Sequence, residues 1–350
     1  MSSPYAPIHP TPPFGLPRRR LLQSLATGSL AVAAVLALTV LGMRTLMADS
    51  DPAKPPVTID GKRAFGYLES IVAIGPRPAG SEANTKQRNM VAKHFEAHGG
   101  SVREQPFSGT DPISGKPVAM VNLIGSWFPE RTDRVLLAAH YDTRPFPDED
   151  PDPAKRKLPF LGANDGASGV ALLMELAHHV GGLKTPWGVD LVLFDGEELV
   201  YGDHNHLNGE YFLGSKVFAK AYASSQRARP AGKTMPKYAA ALVLDMVGDK
   251  DLTVDKEPHS LDFNPRLVRD VWAVAKALGV TQFRDQIGQV AVQDDHLPLY
   301  NGGIPAIDII DFDYPHWHTA ADVPANCSGA SLEVVGKVVV TWLAKPKPRR

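Results

Sequence analysis

Val189 to Phe194 is a short, nearly all-apolar run, and it empties directly into Asp195-Gly196-Glu197-Glu198. Its β-branched and aromatic content reads as a strand buried on both faces. In an open α/β sheet, ligands sit beyond the carboxyl ends of the strands, which is where this run places three carboxylates in four residues. Acids that close repel one another unless a cation or shared protons lie among them. Neighbouring glutamates also point in different directions, so one can bind a metal while the other faces a substrate. The competing reading is a solvated acidic turn, and the rest of the chain decides between the two.

The chain has 350 residues, enough for one large α/β domain with appendages. Its 37 basic and 38 acidic side chains nearly balance, so it carries no electrostatic footprint for nucleic acid. One cysteine, Cys327, excludes an intrachain disulfide. That suits the cytosol or a bacterial exported protein without bridges. The amino end favours export. Residues 1–17 read as a disordered cytoplasmic tail rich in proline and serine. Residues 18–47 combine Arg18-Arg19-Arg20 with Leu21 to Met43, an uncharged run long enough to cross a bilayer as an anchor or export signal. Arg-Arg before Leu21-Leu22-Gln23 also resembles a twin-arginine signal. Residues 48–57 read as a linker, and 58–346 as the folded body. The body is expected outside the cytoplasm, membrane-anchored, or secreted if the signal is cut.

Helical spacing covers Asp60 to Ile74, and Ser81 can cap a second helix that ends at Gly99-Gly100. Ser101–Phe107 and Val118–Ser126 read as antiparallel strands. Arg134 to His140 is a buried strand running into His140-Tyr141-Asp142. The segment 144–159 holds five prolines and many charges and reads as a polar loop at the mouth of a site. Asp165 precedes an apolar helix, where it can serve simply as the amino-terminal cap. Leu199 to Gly209 reads as irregular, with His204 and His206 solvated. Tyr238 to Asp245 is a further buried strand ending in an acid. His259 falls in a charged loop without a role. Ser331 to Ala344 closes the chain as a helix, with Ser328 as its cap.

Taken together, His140, Asp165, Glu197 with Glu198, Asp245 and His318 fall along one sheet edge, and a mixture of imidazole and carboxylate donors suits zinc. The ordered set His140-Tyr141-Asp142, Gly162-Ala163-Asn164-Asp165, Phe194-Asp195-Gly196-Glu197-Glu198, Leu244-Asp245-Met246 and His318-Thr319 resembles the M28-type zinc aminopeptidases and their relatives, the glutaminyl-peptide cyclotransferases. The resemblance implies a single α/β domain with a mixed, mostly parallel central sheet flanked by helices, behind the amino-terminal segment.

The two branches imply different use of the same residues. A cyclotransferase would hold one zinc on Asp165, Glu198 and His318, with Glu197 as proton carrier supported by Asp245 and Asp294. It would convert the amino-terminal glutamine of a peptide to pyroglutamate and release ammonia. A two-zinc aminopeptidase would add His140 and Asp245 as ligands of the second metal. Asp294 stands where such peptidases commonly carry serine, Trp317 matches the tryptophan walling the glutamine pocket, and Gln293 also matches a cyclase position. These favour the cyclase. Tyr201 is the nearest counterpart to an aromatic residue that cyclases place beyond the glutamate pair. A third reading is a membrane-anchored binding protein that keeps the fold and has lost the chemistry.

Overall fold

The computed structural model describes residues 55–203, 206–228 and 234–347. The tail, the apolar segment Leu21–Met43, most of the linker and His204 lie outside the described residues, as do the side chains of Tyr201 and His206. No helix among the described residues is long and apolar enough to cross a membrane.

In chain order the elements are α1 (Gly61–Val72), α2 (Glu82–Ala97), β1 (Ser101–Thr110), β2 (Pro117–Trp127), β3 (Asp133–His140), α3 (Ala167–Val180) and β4 (Gly188–Phe194). Then come β5 (Val200–Asp203), β6 (His206–Gly209), α4 (Leu213–Arg227), β7 (Lys237–Asp245), β8 (Val254–Lys256), α5 (Pro258–Phe263) and α6 (Pro265–Ala277). The chain finishes with β9 (Phe283–Ile287), α7 (His296–Asn301), β10 (Ala306–Ile310) and α8 (Gly329–Leu343).

Six strands form one mixed sheet in the order β1-β2-β4-β3-β7-β10. β4, β3, β7 and β10 are mutually parallel, while β2 joins β4, and β1 joins β2, in antiparallel fashion. Every residue of β4 is buried, as its apolar run requires. Its one charged residue, Asp190, accepts a bidentate pair of bonds from buried Arg134 and further bonds from Ser126 and Tyr238, so no charge is left unpaired.

Alternation along the strands splits the core. Val135, Leu137 and Ala139 of β3 face one layer with residues of α1, α3 and α8, whereas Leu136 and Ala138 face the layer with Phe218, Ala219 and Leu299. The strand order reverses at β3, because β4 lies on one side of it and the later β7 on the other. Such a reversal opens a crevice at the carboxyl ends of the strands. Register completes the arrangement. His140 pairs with Phe194, and Ile310 pairs with Asp245, so all four parallel strands end at one level.

Several expectations change here. Leu199–Gly209 is not irregular, since β5 and β6 form a hairpin within it. His259 lies in the short helix α5, capped by Glu257, which accepts from His259 N at 2.8 Å. β8 and β9 pair as a small parallel ribbon. Elements this short carry too few residues to show a period. The segment 144–159 is not wholly polar surface, because Arg144, Asp148 and Asp150 are buried. The caps at Ser81 and Ser328 form as expected, accepting from Asn84 N and Ala330 N.

Helix α3 closes tightly on the sheet at Gly169. A Cβ there would overlap Leu244 O and lie 2.8 Å from Ala139 Cβ. Gly169→Ala should therefore lower stability by about 1–3 kcal/mol through overpacking, read as a lower denaturant midpoint at unchanged m-value. Gly66→Ala on α1 should do the reverse by about 0.5–1 kcal/mol, since a Cβ there meets nothing within 4 Å.

Candidate active site

The turn after β4 is organised by an acid from the neighbouring strand end. Asp142, fully buried, accepts from Glu197 N at 3.1 Å and from Glu198 N at 3.0 Å, one bond to each carboxylate oxygen. Burial, then the nearby Asp195 charge, pushes the Asp142 carboxyl up to about 7. Asp195 is itself held by Asn84, Val121 N and Tyr141.

A second buried acid does the same for the turn that carries Asp165. Asp322 accepts from Asn164 N at 2.8 Å and Asp165 N at 3.1 Å, and Tyr314 donates to it. The cap of α3 is Gly166, at φ +89°, and it makes no side-chain capping bond. Asp165 is therefore not the helix cap that its sequence position suggests, and its carboxylate turns into the crevice. A side chain at Gly166 would press against Asp142 O and the His140 ring.

The carboxylate of Asp165 has a different neighbour on each oxygen. Its Oδ2 lies 3.3 Å from His318 Nε2, and Glu198 Oε1 lies 3.2 Å from the same nitrogen. Its Oδ1 lies 3.2 Å from His140 Nε2, which is 3.1 Å from Asp245 Oδ1. Two donor sets result, Asp165–Glu198–His318 and His140–Asp165–Asp245, each with its ligand atoms within 4.8 Å of one another. Asp165 belongs to both. His140 Nδ1 donates to Asp142 O at 3.2 Å, which directs Nε2 toward the acids.

The first set fits zinc on more than donor type. Asp165 Oδ2 is buried without a hydrogen-bond partner, an arrangement that a cation would satisfy. Burial opposes the charged forms throughout, yet the pairing wins at the ligands. Proximity of the His140 and His318 rings holds Asp165 below the usual range, Arg144 and His318 hold Glu198 well below it, and Glu198 lifts His318 to about 9.

Arg144 was not apparent from the sequence. It donates from Nη1 to Glu198 Oε2 at 2.5 Å and grips Asp148 through Nε and Nη2 at 2.7 and 2.9 Å. One oxygen of Glu198 thus faces His318 and the other is occupied by Arg144. Glu149 N also donates to His318 O at 3.1 Å, tying the 144–159 segment to the His318 loop.

Glu197 behaves differently. Burial first, then Glu198, raises its carboxyl well above the usual range. Its Oε2 lies 3.8 Å from His140 Nδ1. Asp245 is raised to about 6 by burial despite its bond from His140, and Asp294 is also raised by burial. The structure brings Glu197, Asp245 and Asp294 to one cavity of about 260 Å³. Gln293 and Trp317 line it as well, with Gln293 exposed. The Trp317 ring stacks on His318 at 3.9 Å between centroids and tilts against Phe312 at 5.3 Å. Three non-glycine residues of this cavity, Phe212, Met246 and His318, hold positive φ. Strained backbone of this kind persists where the surrounding fold enforces it. A larger cavity of about 580 Å³, between Trp187, Phe263 and Trp342, is mostly apolar and gathers no comparable acid–imidazole set.

Beneath Asp294 lies a further buried group, Glu257, His296 and Asp308, with His296 Nε2 at 3.3 Å from Glu257 Oε2. Asp308 was missed. Its signal is an acid in the middle of an otherwise apolar strand.

A family model for "Peptidase family M28" matches residues 122–343. The chain belongs to peptidase family M28. Among solved structures it is similar to a glutaminyl cyclase of Fimbriiglobus ruber, at 38% identity over 84% of this chain and 99% of that one, with a TM-score of 0.78. It is also similar to a leucine aminopeptidase precursor of Bacteroides thetaiotaomicron, at 31% identity over 83% and 99%, with a TM-score of 0.75. Among curated proteins it is similar to a glutaminyl-peptide cyclotransferase-like protein of Mus musculus, at 25% identity over 82% of this chain and 76% of the relative. The glutaminyl-cyclase-like character of this M28 chain thus agrees with the sequence reading.

Removing the acid that holds the glutamate turn should be costly. Asp142→Ala leaves two buried N–H groups without acceptors, and relief of repulsion with Asp195 offsets part of the loss. A net destabilisation of about 1–3 kcal/mol is expected in a denaturant titration. Any zinc held by Glu198 should bind about 10–100-fold more weakly in competition with a chelator, because Asp142 positions that glutamate.

Proposed function

We propose that this chain is a zinc-dependent glutaminyl-peptide cyclotransferase that takes peptides with amino-terminal glutamine, with zinc on Asp165, Glu198 and His318. The observation that carries the reading is the small cavity over these residues. At about 260 Å³ it suits one side chain folded back on its own amine, with Trp317 and Phe312 as an aromatic wall and Glu197 and Asp294 among its acids.

Bound zinc would supply a Lewis acid for the γ-carbonyl of the glutamine. Trp317 would hold the apolar part of that side chain, and the cavity walls would keep bulk water from competing with the internal amine. Glu197 would accept the proton lost by the α-amine as its nitrogen bonds to the γ-carbon. It would return that proton to the departing amide nitrogen, so that the C–N bond breaks and ammonia leaves. Its raised pKa suits both halves of this exchange. Asp245 and Asp294 would share in holding the proton, since close buried carboxyls do not all ionise freely. Nucleophile and carbonyl belong to one residue, so the site's main contribution is positioning.

A second reading, a two-zinc aminopeptidase, is favoured by one observation, the His140–Asp165–Asp245 set. A binding protein of the same fold without turnover is a third. Metal difference counts separate them. Glu198→Gln should remove one zinc per chain, and Asp245→Ala none. Glu197→Gln should retain zinc and slow ammonia release by about two to four orders of magnitude. Asp294→Ala should slow cyclisation without removing zinc. Loss of a zinc in Asp245→Ala, with rapid leucine anilide cleavage and no ammonia from glutamine peptides, would establish the peptidase instead. Lack of any turnover by the zinc-loaded protein would leave the binding protein.

We further propose that the body works outside the cytoplasm behind the basic and apolar segment 18–47, an inference from sequence alone. Cell fractionation should find the full-length chain with the membrane. Soluble protein beginning near Asp49 would show that the segment is cleaved.

A further inference from the structure

Three histidines meet away from the crevice. His94 belongs to α2, His98 caps its carboxyl end, and His178 lies in the last turn of α3. His178 is about 17 Å along the helix axis from the start of α3, the end beside Asp165. All three are half-buried. Ring centroids are 4.3 Å apart for His94 and His98, 3.9 Å for His98 and His178, and 5.2 Å for His94 and His178.

The hydrogen bonds determine which nitrogens are free. A carbonyl oxygen only accepts, so His94 Nε2 must donate to Met174 O at 2.8 Å, and His98 Nδ1 must donate to His94 O at 2.8 Å. In the neutral rings, His94 Nδ1 and His98 Nε2 therefore keep their lone pairs. His178 Nε2 meets the Tyr67 hydroxyl at 2.6 Å, and when that oxygen accepts, His178 Nδ1 keeps its lone pair too. Backbone carbonyls and hydroxyls that anchor the far side of each ring are the usual supports of metal-binding histidines.

We propose that His94, His98 and His178 form a second transition-metal site, which takes zinc or a similar divalent ion and ties α2 to α3. One nitrogen from each ring already lies within 4.8 Å of one from each other ring. Tetrahedral zinc needs nitrogens about 3.4 Å apart, which small side-chain rotations would achieve. Histidines four apart on a helix share one face, and partial exposure leaves room for a water as fourth ligand. Arg63, whose charge bears on His178, is held by Glu175 at 2.7 and 2.8 Å. Burial, followed by nearby positive charge, lowers His178 to about 4, and burial also lowers His94. Both rings are thus neutral and open to a metal at pH 7. The proposal is independent of which reaction the crevice performs.

The test uses untagged protein, dialysed against zinc and compared with His98→Ala, His178→Gln and a control, His259→Ala. Each of the first two variants should hold one zinc per chain fewer than wild type, and the control the same number. Turnover, and the zinc lost through Glu198→Gln, should not change. Melting temperature should rise with added Ni²⁺ in wild type and rise less in the two variants, which excludes loss of zinc through misfolding. Equal zinc content in wild type and both variants, with equal responses to Ni²⁺, would overturn the site whatever the crevice catalyses.

Discussion

Buried negative charge is the condition that the rest of this structure has to meet. Asp142, Asp165, Glu197, Glu198, Asp245, Asp294 and Asp322 gather around the carboxyl ends of the sheet's parallel strands. Left to itself such a cluster would repel or draw in water. The fold divides the acids by task. Asp142 and Asp322 spend their oxygens on backbone N–H pairs, which fixes the two turns that present Asp165, Glu197 and Glu198. Asp165 and Glu198 face imidazoles, and Glu197, Asp245 and Asp294 are pushed toward retaining protons.

Much of this was legible in the chain because the central feature repeats a strong local signal. An apolar strand running into an acid can be recognised three times over, at Asp142, at Glu197 and at Asp245, and the sheet does place those ends together. Asp165 shows the limit of such reading. A carboxylate before an apolar helix has a local explanation as a cap, and only the backbone at Gly166 shows that the cap is not made. The 144–159 segment fails for a different reason. Its composition is that of a surface loop, yet Arg144 and Asp148 bury each other as a charge-compensated pair, which composition does not reveal. Pairing across 54 residues, as between Arg144 and Glu198, has no local signature at all. The histidines at 94, 98 and 178 escaped notice likewise, because their association depends on how two helices cross.

The segment that carries Arg144 braces the crevice from beside Glu198 and His318. Its backbone joins the His318 loop, and its side chains join Glu198, so two members of the Asp165–Glu198–His318 set from distant parts of the chain share a support. The positive φ at His318 and at Met246 shows that the loop geometry is enforced rather than locally preferred. Rigid placement would matter most for the proposed cyclisation, since an intramolecular closure gains chiefly from alignment.

Asp165 stands in both donor sets, one oxygen toward each. A shared carboxylate makes the two positions thermodynamically dependent. Occupancy of one withdraws electron density and charge from the other, and by reciprocity the second position influences the first to the same degree. Protons on Asp245 enter the same balance, because they compete with any cation beside His140. Within one scaffold, then, the choice between a single metal with stored protons and a metal pair is a question of linkage among a few neighbouring acids, and it can shift without moving a strand.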